Sequence, residues 1–217
     1  MRGNGGGTRH ILKTLLPYFL DPASGPRVVN VAAKRLTDGD AADDPAGLLG
    51  QTRGLFPANS PRHEREAQLA ISSFAKTFRP RWKLPEGQFS QWHDMVVSPT
   101  TSPTTEKGSF FYDRPAAVLI DPSCFSATDI FTGAFKGVPN VTLVGTATGG
   151  GSGRSRSVRL PRSGHSLRIS SMASFQPNGS LYDGAGVQPD LLVLRRPTDF
   201  IGETDTVLDA AVAYLTQ

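Results

Sequence analysis

The chain has 217 residues, 38% of them hydrophobic, with 23 Lys and Arg against 19 Asp and Glu for a net charge of +4. That is enough for one large domain or two small ones with a real core, and no apolar run approaches the roughly 20 residues that cross a bilayer, so no membrane segment is expected. A single cysteine excludes an internal disulfide framework, and 4 scattered histidines lack metal-ligand spacing, so no structural metal site is expected.

Gly3 to Gly7 is glycine-rich and carries no apolar signal region; the compartment is left open. It leads into a predicted helix from Thr8, the expected N-cap, with apolar residues at 11, 12, 15, 16 and 19 on one face. Backbone N–H groups in such a loop can cradle an anion or oxyanion, because no side chain blocks close approach. Val28 to Ala33 reads as a short strand. Residues 37 to 61, rich in Asp, Gly, Pro and Asn, read as irregular and exposed. A helix opens at Pro61 and reaches about Phe78, with a solvated first turn that includes His63.

Pro80 to Gly108 is rich in Pro, Ser and Thr, and contains Trp82, Phe89 and Trp92. A connection that long is either disordered or functional, and the aromatics suit a lid or substrate-side insertion; His93 reads as a loop residue within it. Residues 98 to 105 are low-complexity spacer. Ala116 to Asp121 is then a buried-type strand, 126 to 136 a helix and Val141 to Val144 a second strand. That order predicts a right-handed parallel crossover. Residues 149 to 153 read as a mobile glycine loop, and 157 to 169 as a hairpin in which His165 is exposed. Leu191 to Leu194 is a last short strand, and Thr206 with Asp209 forms a capping box for a terminal helix. Arg154, Arg156, Arg159 and Arg162 are the densest basic group, but no aromatics interleave them, so nucleic acid is not an expected partner.

The chemistry centres on Cys124-Phe125-Ser126-Ala127-Thr128-Asp129, a turn between strand and helix. Ser126 there sits over the positive end of a helix dipole, beside N–H groups with no partner in the helix. Its spacing to Asp129 is that of a capping box, in which the hydroxyl accepts from the Asp129 N–H and the carboxylate reaches back, so local physics alone favours an ordinary N-cap over a nucleophile. A nucleophile needs a base and oxyanion donors, and the N–H of Ala127 and the loop Gly5, Gly6 and Gly7 are candidates for the donors. His10, directly after the glycines, is a candidate base, with a helix-surface role as the alternative.

Several segments, in order, resemble the carboxy-terminal-processing (tail-specific) serine peptidases and their tricorn-like relatives. Arg2 to Gly7 is similar to the end of the family's Asp-Leu-Arg-x-Asn-x-Gly-Gly motif, and Val118 to Asp121 with Cys124 to Asp129 to its strand and nucleophile segment. Thr142 to Gly145 with Thr148 to Gly151, then Pro177-Asn178-Gly179 and Gly184-x-Gly186-Val187-x-Pro189-Asp190, match its later signatures. The resemblance implies that Ser126 is the nucleophile, that Cys124 is a buried small hydrophobe, and that Asp183 stands at the position of a late acid. The processing proteases use a lysine base, and the corresponding position here is Gly151. Lys136 is an unsuitable substitute, lying about 15 Å along the helix from Ser126. The triple glycine looks like the tricorn-like branch, whose base is a histidine preceding the glycine motif, in a part this chain lacks.

The resemblance implies an α/β domain of the crotonase/Clp-protease-like spiral type, amino-terminally truncated, with a core at about 1–21 and 110–217 and a loop-rich helical insertion at about 22–109. The implied function is a serine endopeptidase acting on polypeptides with no cofactor or metal, in a parent protein that is exported; a homo-oligomer is left open. The alternative is a catalytically inactive peptide-binding or scaffold fragment.

Overall fold

The computed structural model describes residues 1–37, 48–99, 104–105 and 108–217, arranged as a mixed α/β fold. The glycine-rich start runs into helix α1 (His10–Leu15), which tightens into a 3₁₀ turn over Leu16–Phe19. Pro17 at the start of that turn has no N–H to continue an α-helix. This helix is shorter than its apolar pattern predicts. Leu12 and Leu16 are buried while Ile11 and Leu15 are exposed, and the N-cap position is Arg9, not Thr8.

Strand β1 (Arg27–Lys34) is buried from Val28 to Ala33 on both faces, which suits its run of Val and Ala. Helix α2 (Leu48–Arg53) and strand β2 (Phe56–Pro57) follow. They correct the expectation of exposed, irregular chain over 37 to 61, since Leu49 and Leu55 are fully buried; residues 38–47 of that stretch lie outside the described residues. Helix α3 (Arg65–Thr77) buries Ala67 and Ile71. His63, expected to be exposed, is buried with a ring nitrogen 3.2 Å from the Phe56 carbonyl.

Strand β3 (His93–Val97) overturns the reading of 80 to 108 as a lid. It lies inside an antiparallel sheet of order β10-β1-β3-β2, where β10 is Met172–Phe175. His93 is 1% exposed, with Nδ1 2.9 Å from the Gln91 carbonyl. The aromatics close the flank of this sheet: Trp92 meets Phe175 and Phe78 edge-on at 5.5 and 5.9 Å, and Trp82 meets Phe89 at 5.7 Å. Segment 22–109 thus supplies three of the sheet's four strands. The short strands β4 (Thr104–Thr105) and β5 (Gly108–Ser109) pair with each other; the rest of the expected spacer lies outside the described residues.

The second sheet is parallel, as the crossover rule predicts. Strand β6 (Ala116–Ile120) pairs with β7 (Val141–Gly145) in register from Ala116 opposite Val141 to Ile120 opposite Gly145. The crossover is helix α4 (Ala127–Phe135), all nine of whose residues are buried. A helix apolar on all sides belongs between layers, and α4 packs against both β7 and β1. Gly133 makes room on α4 for the Tyr182 side chain. A Cβ there would stand 2.1 Å from the hydroxyl of Tyr182, which is fully buried and donates to the Val29 carbonyl at 3.3 Å.

Strands β8 (Ser155–Arg159) and β9 (Ser166–Ser170) form the expected hairpin, exposed along its length, and His165 at its turn is exposed. Strand β11 (Leu191–Leu192) adds to β7. After a short helix α5 (Pro197–Phe200), helix α6 (Thr206–Leu215) covers the face of the parallel sheet opposite α4, burying Val207 and Ala211 against Val144. Its cap is Asp205 and not Thr206: the Asp205 carboxylate accepts from the Leu208 N–H at 3.0 Å and from both Arg2 guanidinium nitrogens at 2.6 and 2.7 Å. No described helix is long and apolar enough to cross a membrane.

Asp94, on β3 opposite Val31 and Phe56, is 4% exposed, and burial raises its pKa to about 7. The folded state therefore retains a proton that the unfolded chain has released between the ordinary 3.8 and about 7. Stability falls with rising pH in that window, by on the order of 1 kcal/mol per pH unit. Urea denaturation across the window will show this slope for the unaltered chain and lose it for Asp94→Asn; an unchanged slope in the variant contradicts the assignment.

Candidate active site

Strand β6 ends at Ile120 and α4 begins at Ala127, so residues 121–126 reverse the chain within one tight turn. Asp121 organises the turn: its Oδ1 accepts from the Ser123 N–H at 3.0 Å and from the Gly3 N–H at 3.2 Å. Cys124 is fully buried, and its thiol donates to the Met1 carbonyl at 3.2 Å, so it is a packed hydrophobe as expected. Ser126 follows with φ 62° and ψ −114°, and among the described residues it is the one non-glycine with positive φ. An L-residue held there crowds its own Cβ, at a cost of roughly 1–3 kcal/mol.

The expected capping box is absent. Ser126 makes no side-chain cap hydrogen bond, and Asp129 points elsewhere. The Asp129 carboxylate is fully buried and accepts from Thr148 Oγ1 at 2.6 Å, the Gly150 N–H at 2.9 Å and the Gly151 N–H at 3.0 Å. Loop 149–153, read as mobile, is thereby tied to α4. It is tied again by Gly149 N–H to the Cys124 carbonyl at 2.8 Å. Gly151, the position aligned with the lysine in the resemblance, is covered by the Phe125 ring: a Cβ there would lie 1.8 Å from that ring, so any side chain would have to displace it.

The amino-terminal loop is laced to the same turn. Arg2 N–H donates to the Leu119 carbonyl at 3.1 Å, and Phe125 N–H to the Asn4 carbonyl at 3.1 Å. Asn4 Oδ1 accepts from the Gly6 N–H at 2.9 Å and from Thr128 Oγ1 at 3.0 Å. The Gly6 N–H is therefore already engaged. Gly6 is needed for close approach, since a Cβ there would stand 2.4 Å from the Phe125 carbonyl and 2.9 Å from the Ser126 Cβ. Gly5 has open space around it. Gly7 and Ala127, in contrast, line one cavity of about 210 Å³ together with Ser126. Ala127 is the first residue of α4, so its N–H has no partner within the helix.

Arg9, Arg53 and Arg154 also line that cavity. Arg9 and Arg53 were not singled out from the sequence; the available signal was an arginine two residues after the glycine loop. His10 is exposed and lines a neighbouring cavity with Lys13 and Gly54 instead. Asp183 is half-buried, and burial raises its pKa; it accepts from the Gly153 N–H at 2.7 Å and Ser152 Oγ at 3.4 Å. No hydrogen bond joins the Ser126 hydroxyl to His10 or Asp183 among the described residues. Lys136 is committed elsewhere, to Asp190 at 2.5 Å and the Gln188 carbonyl at 3.0 Å. No group of three or more His, Cys, Asp or Glu among the described residues could hold a metal.

The family model described as peptidase family S41 matches residues 1–193. A carboxy-terminal-processing protease of Bartonella bacilliformis is 29% identical over 86 residues, covering 40% of this chain and 20% of that protein. Among solved structures, a candidate peptidase from Parabacteroides merdae aligns with a TM-score of 0.62 at 21% identity, over 99% of this chain and 50% of that one. Mature CPAF aligns with a TM-score of 0.54 at 18% identity, over 98% and 40%. At such identities the two structures speak for the fold alone. The chain spans between 20% and 50% of the length of these relatives. With nearly nine-tenths of its residues inside the family match, the chain belongs to peptidase family S41.

Proposed function

We propose that the chain is the carboxy-terminal portion of the catalytic domain of a serine endopeptidase that hydrolyses polypeptides through an acyl-enzyme on Ser126. The observation that carries this reading is the Ser126 backbone. A serine is held at φ 62°, where glycine would be unstrained, and it lines a cavity while its side chain makes no cap hydrogen bond to α4. A purely structural serine gains nothing from that strain.

In the proposed reaction Ser126 Oγ attacks the peptide carbonyl carbon while a base takes its proton. The Ala127 and Gly7 N–H groups, both from residues that line the cavity with Ser126, hydrogen-bond the developing oxyanion. Collapse of the tetrahedral intermediate expels the amine with that proton, and water then cleaves the ester. The Gly6 N–H contributes by fixing Asn4, since its donor is already spent; Gly5 serves the loop's path. The base comes from the region that precedes the glycine motif in the tricorn-like branch, with His10 as the local alternative. Asp183 is the late acid of the same scheme, as the family resemblance implies. The family's spiral crotonase/Clp-type architecture is proposed for the whole catalytic unit, residues 1–217 forming a single partial domain with 22–109 inserted between its core segments. Export of the parent protein and homo-oligomerisation belong to the same proposal.

If His10 supplies the base within these residues, a labelled unstructured peptide will be cleaved by the unaltered chain, and Ser126→Ala will slow that cleavage by about 10³-fold or more. Equal, background-level cleavage by both would favour an inactive peptide-binding fragment. The strain argument predicts a stability change as well. Ser126→Gly will be more stable than Ser126→Ala by about 1 kcal/mol, because relief at positive φ exceeds the entropy that glycine loses on folding. Thermal melts of the two variants measure this, and Ala at least as stable as Gly contradicts it.

A further inference from the structure

We propose that the exposed hairpin of β8 and β9 is a docking surface for a partner protein, which covers it with an acidic amphipathic helix. This surface lies outside the chemistry assigned to Ser126, and its role holds whether or not that chemistry does.

The hairpin register sorts its side chains into two unlike faces. Val158 stands opposite Leu167 and Arg156 opposite Ile169, so these four residues share one face, and Leu160 follows two residues after Val158. Ser155, Ser157, Arg159, Ser166, Arg168 and Ser170 make the other face. An apolar face backed by a polar one is the pattern of a sheet packed on one side and solvated on the other. Among the described residues none covers the apolar side: both strands are exposed throughout, and Val158, Leu160, Leu167 and Ile169 are 36, 37, 50 and 41% exposed. Two strands alone are marginal in water, yet the root of this hairpin is fixed. The Gly153 N–H donates to Asp183 Oδ1 at 2.7 Å, and the Ser171 N–H to the Arg154 carbonyl at 2.6 Å. The apolar face is therefore held at a fixed place.

Charge selects the occupant. From Ser155 to Ser170 the chain carries Arg156, Arg159, Arg162 and Arg168 and no carboxylate, and the flanking acids in sequence are as far away as Asp129 and Asp183. No described carboxylate forms an ion pair with any of the four arginines. Arg156 shares the apolar face near the root, and Arg162 lies in the turn at the far end, so the aliphatic patch has a cation at each end. Such a field draws an anionic partner and repels a second copy of the same hairpin. The patch is two strands wide, roughly 10 Å with its side chains, which is the width of one helix. A strand added to either hairpin edge would leave the face bare. A lipid surface fits less well, because the turn that would enter it first, Pro161 to His165, has no large apolar residue, and the hairpin has no Trp, Tyr or Phe anchor. The same lack of aromatics leaves nothing for nucleic-acid bases to stack on.

The test measures binding by fluorescence anisotropy to the Ser126→Ala form of the 217-residue chain, so that no cleavage intervenes. Three labelled, end-capped peptides of about 18 residues, roughly five helical turns, are compared. One carries Leu on one helical face and Glu on the rest, one has Lys in place of every Glu, and one has the Leu and Glu of the first shuffled around the helix. The first will bind about tenfold or more tighter than either control, and more weakly as salt is raised. Leu167→Thr with Ile169→Thr, which puts β-branched residues at exposed strand positions, will lower that affinity about tenfold or more. Arg156→Gln with Arg162→Gln will flatten the salt dependence, and melts matching the parent confirm that both variants are folded. Equal binding of the three peptides, no binding of the first, or an affinity unchanged by the threonine pair overturns the proposal. Without binding of the acidic peptide, two further results overturn it in favour of another occupant: flotation with phosphatidylglycerol vesicles that the threonine pair abolishes points to a membrane, and a sedimenting dimer that the pair dissociates points to a second copy.

Discussion

The Asp129 carboxylate is the interaction on which the site depends. It is fully buried and takes donors from Thr148, Gly150 and Gly151. Each charge-assisted bond contributes roughly 1.5–3 kcal/mol against a desolvation cost of several, so the group is stable there only with all three in place. Thr148 in turn accepts from the Val187 N–H at 2.8 Å, and the Gly150 carbonyl from the Gly184 N–H at 2.7 Å. One carboxylate thereby locks the start of α4 to the loop after β7 and to the Tyr182–Val187 turn.

That arrangement releases Ser126 from capping. Asp129 is fully occupied by the loop, so it does not reach back to the start of α4, and Ser126, which lines a cavity, makes no cap hydrogen bond. The backbone strain at Ser126 is held by its neighbours on both sides. Asn4 clamps Phe125 and Thr128, and Gly6 presses against the serine itself. The geometry of this turn depends on a loop distant in sequence, and the bonds from Phe125 and Thr128 to Asn4 each cross more than a hundred residues of chain.

Where local pattern and tertiary role coincided, the sequence was legible. The β6, α4 and β7 crossover follows from two apolar runs and an apolar helix, and its parallel register was expected. Ser126, Ala127 and Gly7 were each picked out by residue type at a strand-to-helix turn and a glycine loop, and they share a cavity. Legibility failed where a competing partner won. Ser126 and Asp129 have capping spacing, but a buried carboxylate gains more from three donors in a distant loop than from one cap. Thr206 has the same spacing to Asp209, yet Asp205 caps because Arg2 fixes its carboxylate. Strand β3 was hidden by the Pro, Ser and Thr on either side of it, and its aromatics pack on Phe175, a residue far along the chain. The convergence of Arg9, Arg53 and Arg154 has no local signature, since it arises only when three separate segments meet.

Ser126, held in a strained turn, free of capping and lining a cavity with Arg9, Arg53 and Arg154, is proposed as the nucleophile. The most direct measurement is to treat the chain with a serine-directed phosphonate and map the adduct by peptide mass spectrometry. The account predicts a single covalent adduct on Ser126, absent from Ser126→Ala. An unmodified Ser126 after exhaustive treatment, or modification spread over other serines at equal rates, would contradict it.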